Sequence, residues 1–277
     1  MQAASREALA GARERLGELT GSQQGRRADG QALLGLADDL FAVAHLLDGQ
    51  VSLRRALADA SVRPEDRAGL ASRLLSGKVG DGALDVVQTV ARQRWSRPLD
   101  LVEAVETLAT DVALDAAQAR GELDTVEDEL FRFGRIIEGD GELSRLLGDP
   151  SADRQGKTAL LDRLLAGKVS PVTERLVRNS LTSRHVHDAA NAVERISEAA
   201  SARRGQSVAH VTSAVELSDQ QRQRLTAILE RTYGRTIGLQ VQVEPAIVGG
   251  LVIRVGDEIV DGSIAHRLEA AGRRFAG

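Results

Sequence analysis

Few residues in this 277-residue chain have the type and spacing to do chemistry. Gly156-Lys157-Thr158 has the ending of a phosphate-binding loop, in which backbone N–H groups cradle phosphate oxygens while the lysine reaches them. That motif needs a first glycine at position 151 and a strand before it. The chain has Ser151 there, after Pro150, in a helical stretch. Nucleotide binding is therefore rejected, and Lys157 reads as solvated surface. Of the five histidines, His45, His185, His187, His210 and His266, no two have the i, i+4 spacing that places two metal ligands on one helix face. His185 and His187 would share a face only in an extended segment; a polar turn between helices is the alternative. The absence of cysteine excludes thiolate metal sites, disulfides and cysteine nucleophiles. Neither a G-x-S-x-G elbow nor a G-x-G-x-x-G loop is present, since Gly249, Gly250 and Gly256 are spaced as turn formers. Acidic pairs such as Asp38-Asp39 and Asp128-Glu129 read as solvated helix faces. The expectation is a non-enzymatic chain with no cofactor and no metal.

The elements that would hold these residues are mostly helices, and they repeat. Residues 40–79 set against residues 130–169, an offset of 90 (130 − 40), match at 15 of 40 positions. Composition alone gives roughly 3 to 4 such matches. The agreement is densest at Arg73-Leu74-Leu75 with Arg163-Leu164-Leu165, and at Gly77-Lys78-Val79 with Gly167-Lys168-Val169. Leu36, Leu40, Val43 and Leu47 keep to one helix face, as do Val126, Leu130, Phe133 and Ile137. Pro64, Pro98 and Pro171 suit first helical turns, and Gly77, Gly121, Gly139 and Gly167 suit helix ends. Thr20 to Gly30, TGSQQGRRADG, reads as an exposed loop.

Near residue 207 the pattern changes. Ala209, Val211 and Val215 alternate as in a strand. Ser218 and Gln221 form a capping box before a helix with Leu225, Ile228 and Leu229 on one face, closed by Gly234. Ile237, Leu239, Val241 and Val243 alternate in a second strand that Pro245 ends. Leu251 to Val255 and Ile259-Val260 then make a β-hairpin around Gly256-Asp257. Asp261-Gly262-Ser263 closes it, and Ser263 caps a helix to about Phe275. The fold class is α+β: a helical bundle with an internally duplicated module, then a small α/β carboxy-terminal domain. The expected domains are residues 1–100, the first copy; 101–205, the second helical bundle; and 206–277, a β-α-β unit with hairpin and helix.

A net charge of −4 and only six aromatic residues argue against a nucleic-acid partner. The amino terminus mixes Arg and Glu and lacks the apolar run of a signal peptide. No apolar run approaches the ~20 residues that span a bilayer, so no direct membrane insertion is expected. Three lysines among 36 basic residues suggest codon bias.

Val211 to Ala214, Leu217-Ser218, Gly249-Gly250, Arg254-Val255-Gly256-Asp257, and Asp261-Gly262-Ser263 before Arg267-Leu268 stand in an order that resembles the delta subunit of the F-type ATP synthase. The mitochondrial relative is the oligomycin-sensitivity-conferring protein. The resemblance covers roughly residues 100–277. The extra first copy is similar to a longer bacterial form. It implies a noncatalytic peripheral-stalk subunit that holds the catalytic head still while the rotor turns, on the cytoplasmic face of the bacterial membrane and held there through the complex. Its implied partners are the amino-terminal segment of an alpha subunit, received by the helical domain, and the carboxy-terminal end of the b subunit, met by the last domain. A helix laid in a helical groove needs apolar faces beyond those of the core. The candidates are Val105, Leu108 and Val112, with Leu176, Val177 and Leu181; that these six only fill the core is the alternative. Gly249, Gly250, Gly256, Asp257, Asp261, Gly262 and Ser263 are the signature residues, with a structural role. A free-standing helical adaptor is the competing function, motivated by the duplication.

Overall fold

Proline sets three of the helix starts in the computed structural model, which describes residues 2–20, 29–206, 208–233, 237–244, 250–255 and 258–261. Pro64, Pro98 and Pro171 each occupy the first turn of their helix, where the missing N–H has no partner to lose. After α1 (Ala3–Thr20), the order is α2 (Gly30–Gly49), α3 (Val51–Ala58), α4 (Pro64–Leu75), α5 (Asp81–Arg92) and α6 (Pro98–Ala119). A similar succession of long and short helices then recurs: α7 (Leu123–Gly139), α8 (Gly141–Gly148), α9 (Arg154–Leu165), α10 (Pro171–Leu181) and α11 (Ala189–Gln206). Helices α3, α4 and α5 begin 90 residues before α8, α9 and α10 (51 and 141, 64 and 154, 81 and 171), so the sequence repeat is a structural repeat.

The two copies share their stitching as well as their helices. Asp39 on α2 accepts a hydrogen bond from Gly80 N–H at 2.7 Å, just before α5. Glu129 on α7 accepts one from Ser170 N–H at 2.9 Å, just before α10. These carboxylates meet helix N-termini, where backbone donors and the helix dipole favour negative charge. They are therefore more than solvated faces. Asp59 and Asp149 each accept from the backbone and hydroxyl of the serine two residues on, Ser61 and Ser151. Gly77 and Gly167, with φ of 73° and 68°, make the same left-handed stop, which a Cβ disfavours.

The described residues up to Ala200 form one compact unit around one core, and those from Ser201 onward belong to a second. Residue 100, where the expected division between the two copies lies, falls in the first turn of α6, and α6 is buried on nearly every side. Among the described residues, α2 is the one helix long and apolar enough by length and composition to cross a membrane. The run-length reading finds no such segment. The α2 residues Leu33, Leu34, Leu40, Phe41, Val43 and Leu47 lie in this core.

The second unit contains β1 (Val208–Ser213), α12 (Asp219–Tyr233), β2 (Gly238–Val243), β3 (Leu251–Val255) and β4 (Glu258–Asp261). The sheet order is β2-β1-β3-β4: β1 and β2 run parallel across the α12 crossover, and β3 is antiparallel to both β1 and β4. The capping box forms as the sequence predicts, with Ser218 N–H donating to Gln221 Oε1 at 2.9 Å and Gln221 N–H to Ser218 Oγ at 3.3 Å. Ala209, Val211, Leu229, Ile237 and Val255 make the core. Two expectations fail here. Val215 lies beyond β1 and is exposed, and Ile228 is on the outer side of α12 while Leu225 and Leu229 pack inward.

Candidate partner-binding site

The six candidate groove residues lie on α6 and α10. Val105, Leu108 and Val112 fall at i, i+3 and i+7 on α6, and Leu176, Val177 and Leu181 lie on one side of α10. All six are at most 1% exposed. The structure places them in the filled core, where α2 packs along α6 and α10 packs on α6, α7 and α9. Helix α2 runs along α6 and beside α10, held at three polar points. Asp38 accepts from Arg175 Nε at 3.0 Å, His45 Nε2 lies 2.9 Å from Asn179 Oδ1, and Asp48 Oδ2 accepts from Arg184 N–H at 2.7 Å. At the other end, a Cβ on Gly30 would stand 2.7 Å from Arg120 Cγ and 3.4 Å from Ala116 O, so glycine permits the close approach to the end of α6.

Phe41 on α2 forms part of the wall of a cleft of about 500 Å3 whose other sides come from α6, α10 and α11, including Glu106, Asn179, His185 and Ile196. Its polar lining is a charged cluster. His185 Nε2 lies 3.0 Å from Glu106 Oε2, and Nδ1 lies 3.6 Å from Asp48 Oδ1 and 3.0 Å from Ser183 Oγ. Burial lowers the His185 pKa, but hydrogen bonds and charge from Asp48 and Glu106 more than offset this and raise it to about 10. Asp48 is correspondingly held below the ordinary carboxylate range: burial opposes this, while His185, the Arg184 N–H and Arg54 prevail. The cluster ties α2 to α6 and to the turn between α10 and α11. His45 is shifted the other way, lowered chiefly by burial. His187 does not join His185; it lines a separate cleft with Glu138, Arg145 and Asp188.

Lys157 corrects the surface reading of Gly156-Lys157-Thr158. It is 5% exposed, and its Nζ donates to Leu147 O at 2.7 Å, at the end of α8. An ammonium at a helix C-terminus satisfies a carbonyl that has no helical partner. Arg67, the matching residue in the first copy, is 2% exposed and donates to Asp59 O and Arg92 O. Gly156 N–H is taken by Asp153, the N-cap of α9, and Thr158 Oγ1 donates back to Arg154 O. The charged residues missed by the motif reading, Asp48, Glu106 and Arg67, lie in ordinary helical context; the basic residue at equivalent positions 67 and 157 was the one available signal.

In the second unit, Gly250 has a φ of 91°, which glycine tolerates without strain, and leads into β3. Asp261 pairs with Val252 at the end of β4. Gly249, Gly256, Asp257, Gly262, Ser263 and the expected final helix lie outside the described residues, as do Gly234, Pro245 and most of the loop after Thr20. Tyr233 Oη donates to Glu258 Oε2 at 2.9 Å, tying the end of α12 to β4.

This architecture, a helical unit followed by a small mixed-sheet unit, defines an α+β protein of two compact units. The model of the ATP synthase delta (OSCP) subunit family matches residues 110–275. ATP synthase subunit delta of Streptomyces griseus is 49% identical over 277 residues, covering the whole of both chains. That of Streptomyces coelicolor is 49% identical over all of this chain and 98% of its own, and that of Nocardia farcinica 43% over the whole of both. The chain belongs to the ATP synthase delta (OSCP) subunit family. The relatives extend through the first helical copy, which the family model does not reach.

Proposed function

We propose that the chain is a noncatalytic stator subunit of the F-type ATP synthase, joining the catalytic head to the membrane-anchored b subunit so that rotation is coupled to proton transport. The observation that carries this reading is full-length similarity to proteins named ATP synthase subunit delta. The division into two units supports two separate attachments. The helical unit takes an amphipathic amino-terminal segment of an alpha subunit, and the unit from Ser201 onward meets the far end of b. Held through the complex, the chain lies peripherally on the cytoplasmic face of the bacterial membrane. A stator contact under torque must be tight, and a nanomolar constant corresponds to ~12 kcal/mol, concentrated in a few buried anchors.

The two attachments are separable by truncation. Removing residues 206–277 is expected to abolish b binding in a pull-down while the helical part still retains an alpha amino-terminal peptide. Full affinity for b in the truncated chain would refute the assignment, and absence of the chain from purified synthase would refute the stator reading itself.

A further inference from the structure

Helix α2 carries two buried stripes where its counterpart α7 carries one. Leu33, Leu40, Val43 and Leu47 face the core of the first copy, as Leu123, Leu130, Phe133 and Ile137 do in the second. The additional stripe of α2 is Leu34, Ala37, Phe41, Ala44 and Asp48. Its equivalents on α7 are exposed or half-buried, and Phe131 is 61% exposed where Phe41 is 4%. The additional stripe has the i, i+3, i+7 spacing of a helix docked in a groove. It lies on the side of α2 that carries the contacts to Arg175, Asn179 and Arg184.

We propose that α2 is a built-in occupant of the α6–α10 groove: the extra copy supplies the amphipathic helix that the family resemblance expects from another subunit, and the groove stays filled in the assembled synthase. This inference rests on the stator reading above. A tethered helix competes at an effective concentration on the order of millimolar, so a segment arriving from another chain is at a disadvantage. The alpha segment then docks on the helical unit without entering this groove.

The chain has no cysteine, so an introduced pair offers the only thiols. In the full chain, His45→Cys with Asn179→Cys, bridged by a short thiol-to-thiol cross-linker, fastens α2 to α10. Asp38→Cys with Arg175→Cys does the same if the first pair fails to fold. Binding to synthase stripped of this subunit is measured before and after bridging. The expected result is an affinity unchanged within about twofold. Tenfold or greater weakening on bridging would mean that the groove must open, and would overturn the inference while leaving the stator reading intact. If the wild-type chain itself fails to rebind, the stator reading falls and the inference falls with it.

Discussion

The first and second helical copies have the same helices in the same order, yet α2 is buried along two stripes and α7 along one. The difference shows where duplication was followed by a division of labour. At equivalent positions both helices carry phenylalanine, Phe41 and Phe131, but only Phe41 is covered, because the second copy packs over α2. Leu34 of the first copy is Asp124 in the second, a polar residue on a face exposed to water. Burial is thus set by what lies opposite a residue, and identical residues in a repeat can have different energetic weight.

That contrast can be broken most severely at the phenylalanines. Phe41→Ala is expected to cost about 4 kcal/mol, the usual result of emptying a packed aromatic site. Phe131→Ala should stay within about 0.5 kcal/mol. Urea unfolding of both variants measures the gap, and equal losses would show that the faces do not differ. The next largest effect concerns the charged cluster that holds α2 to the second copy. His185→Ala removes the imidazolium between Asp48 and Glu106, leaving Arg54 as the cation beside Asp48, and should cost about 3 kcal/mol at neutral pH. The His185 pKa is raised from 6.5 to about 10 in the folded chain, so its contribution is full below about pH 6.5 and is lost as pH rises through 10. Wild-type urea midpoints should fall over that window, and the gap to the variant should close. A gap constant with pH would contradict the assignment.

Where the copies agree, the expected effects are smaller and alike. Lys157→Met removes the cap on Leu147 O and should cost roughly 1–2 kcal/mol in thermal or urea unfolding. Gly77→Ala and Gly167→Ala should each cost about 1 kcal/mol from the left-handed backbone alone, since nothing lies within 4 Å of either added Cβ. A large inequality between the two glycines would mean that the repeat is less regular than its backbone.

The fold was legible where physics acts locally. Proline at helix starts, the Ser218–Gln221 box and the alternation of β1, β2 and β3 depend on near neighbours, and they appear where the sequence places them. The repeat exposed the equivalence of the two copies because residues 40–79 and 130–169 retain both core positions and turn glycines. What was not legible depends on long-range contact. The periodicity that marks Leu40 and Leu130 as core is silent on which helix also covers Phe41. Lys157 looked like surface because only the fold brings Leu147 O to its Nζ. Val105 and Leu176 were recognisable as apolar helix faces, but nothing near them in sequence announces that both are sealed inside the core.

Coupling is the function proposed for this chain, and proton pumping reads it directly. In membranes carrying the synthase, removal of this chain should leave ATP hydrolysis running while ATP-driven proton pumping is lost. Adding back the full chain should restore pumping. Pumping that survives removal would contradict the stator account.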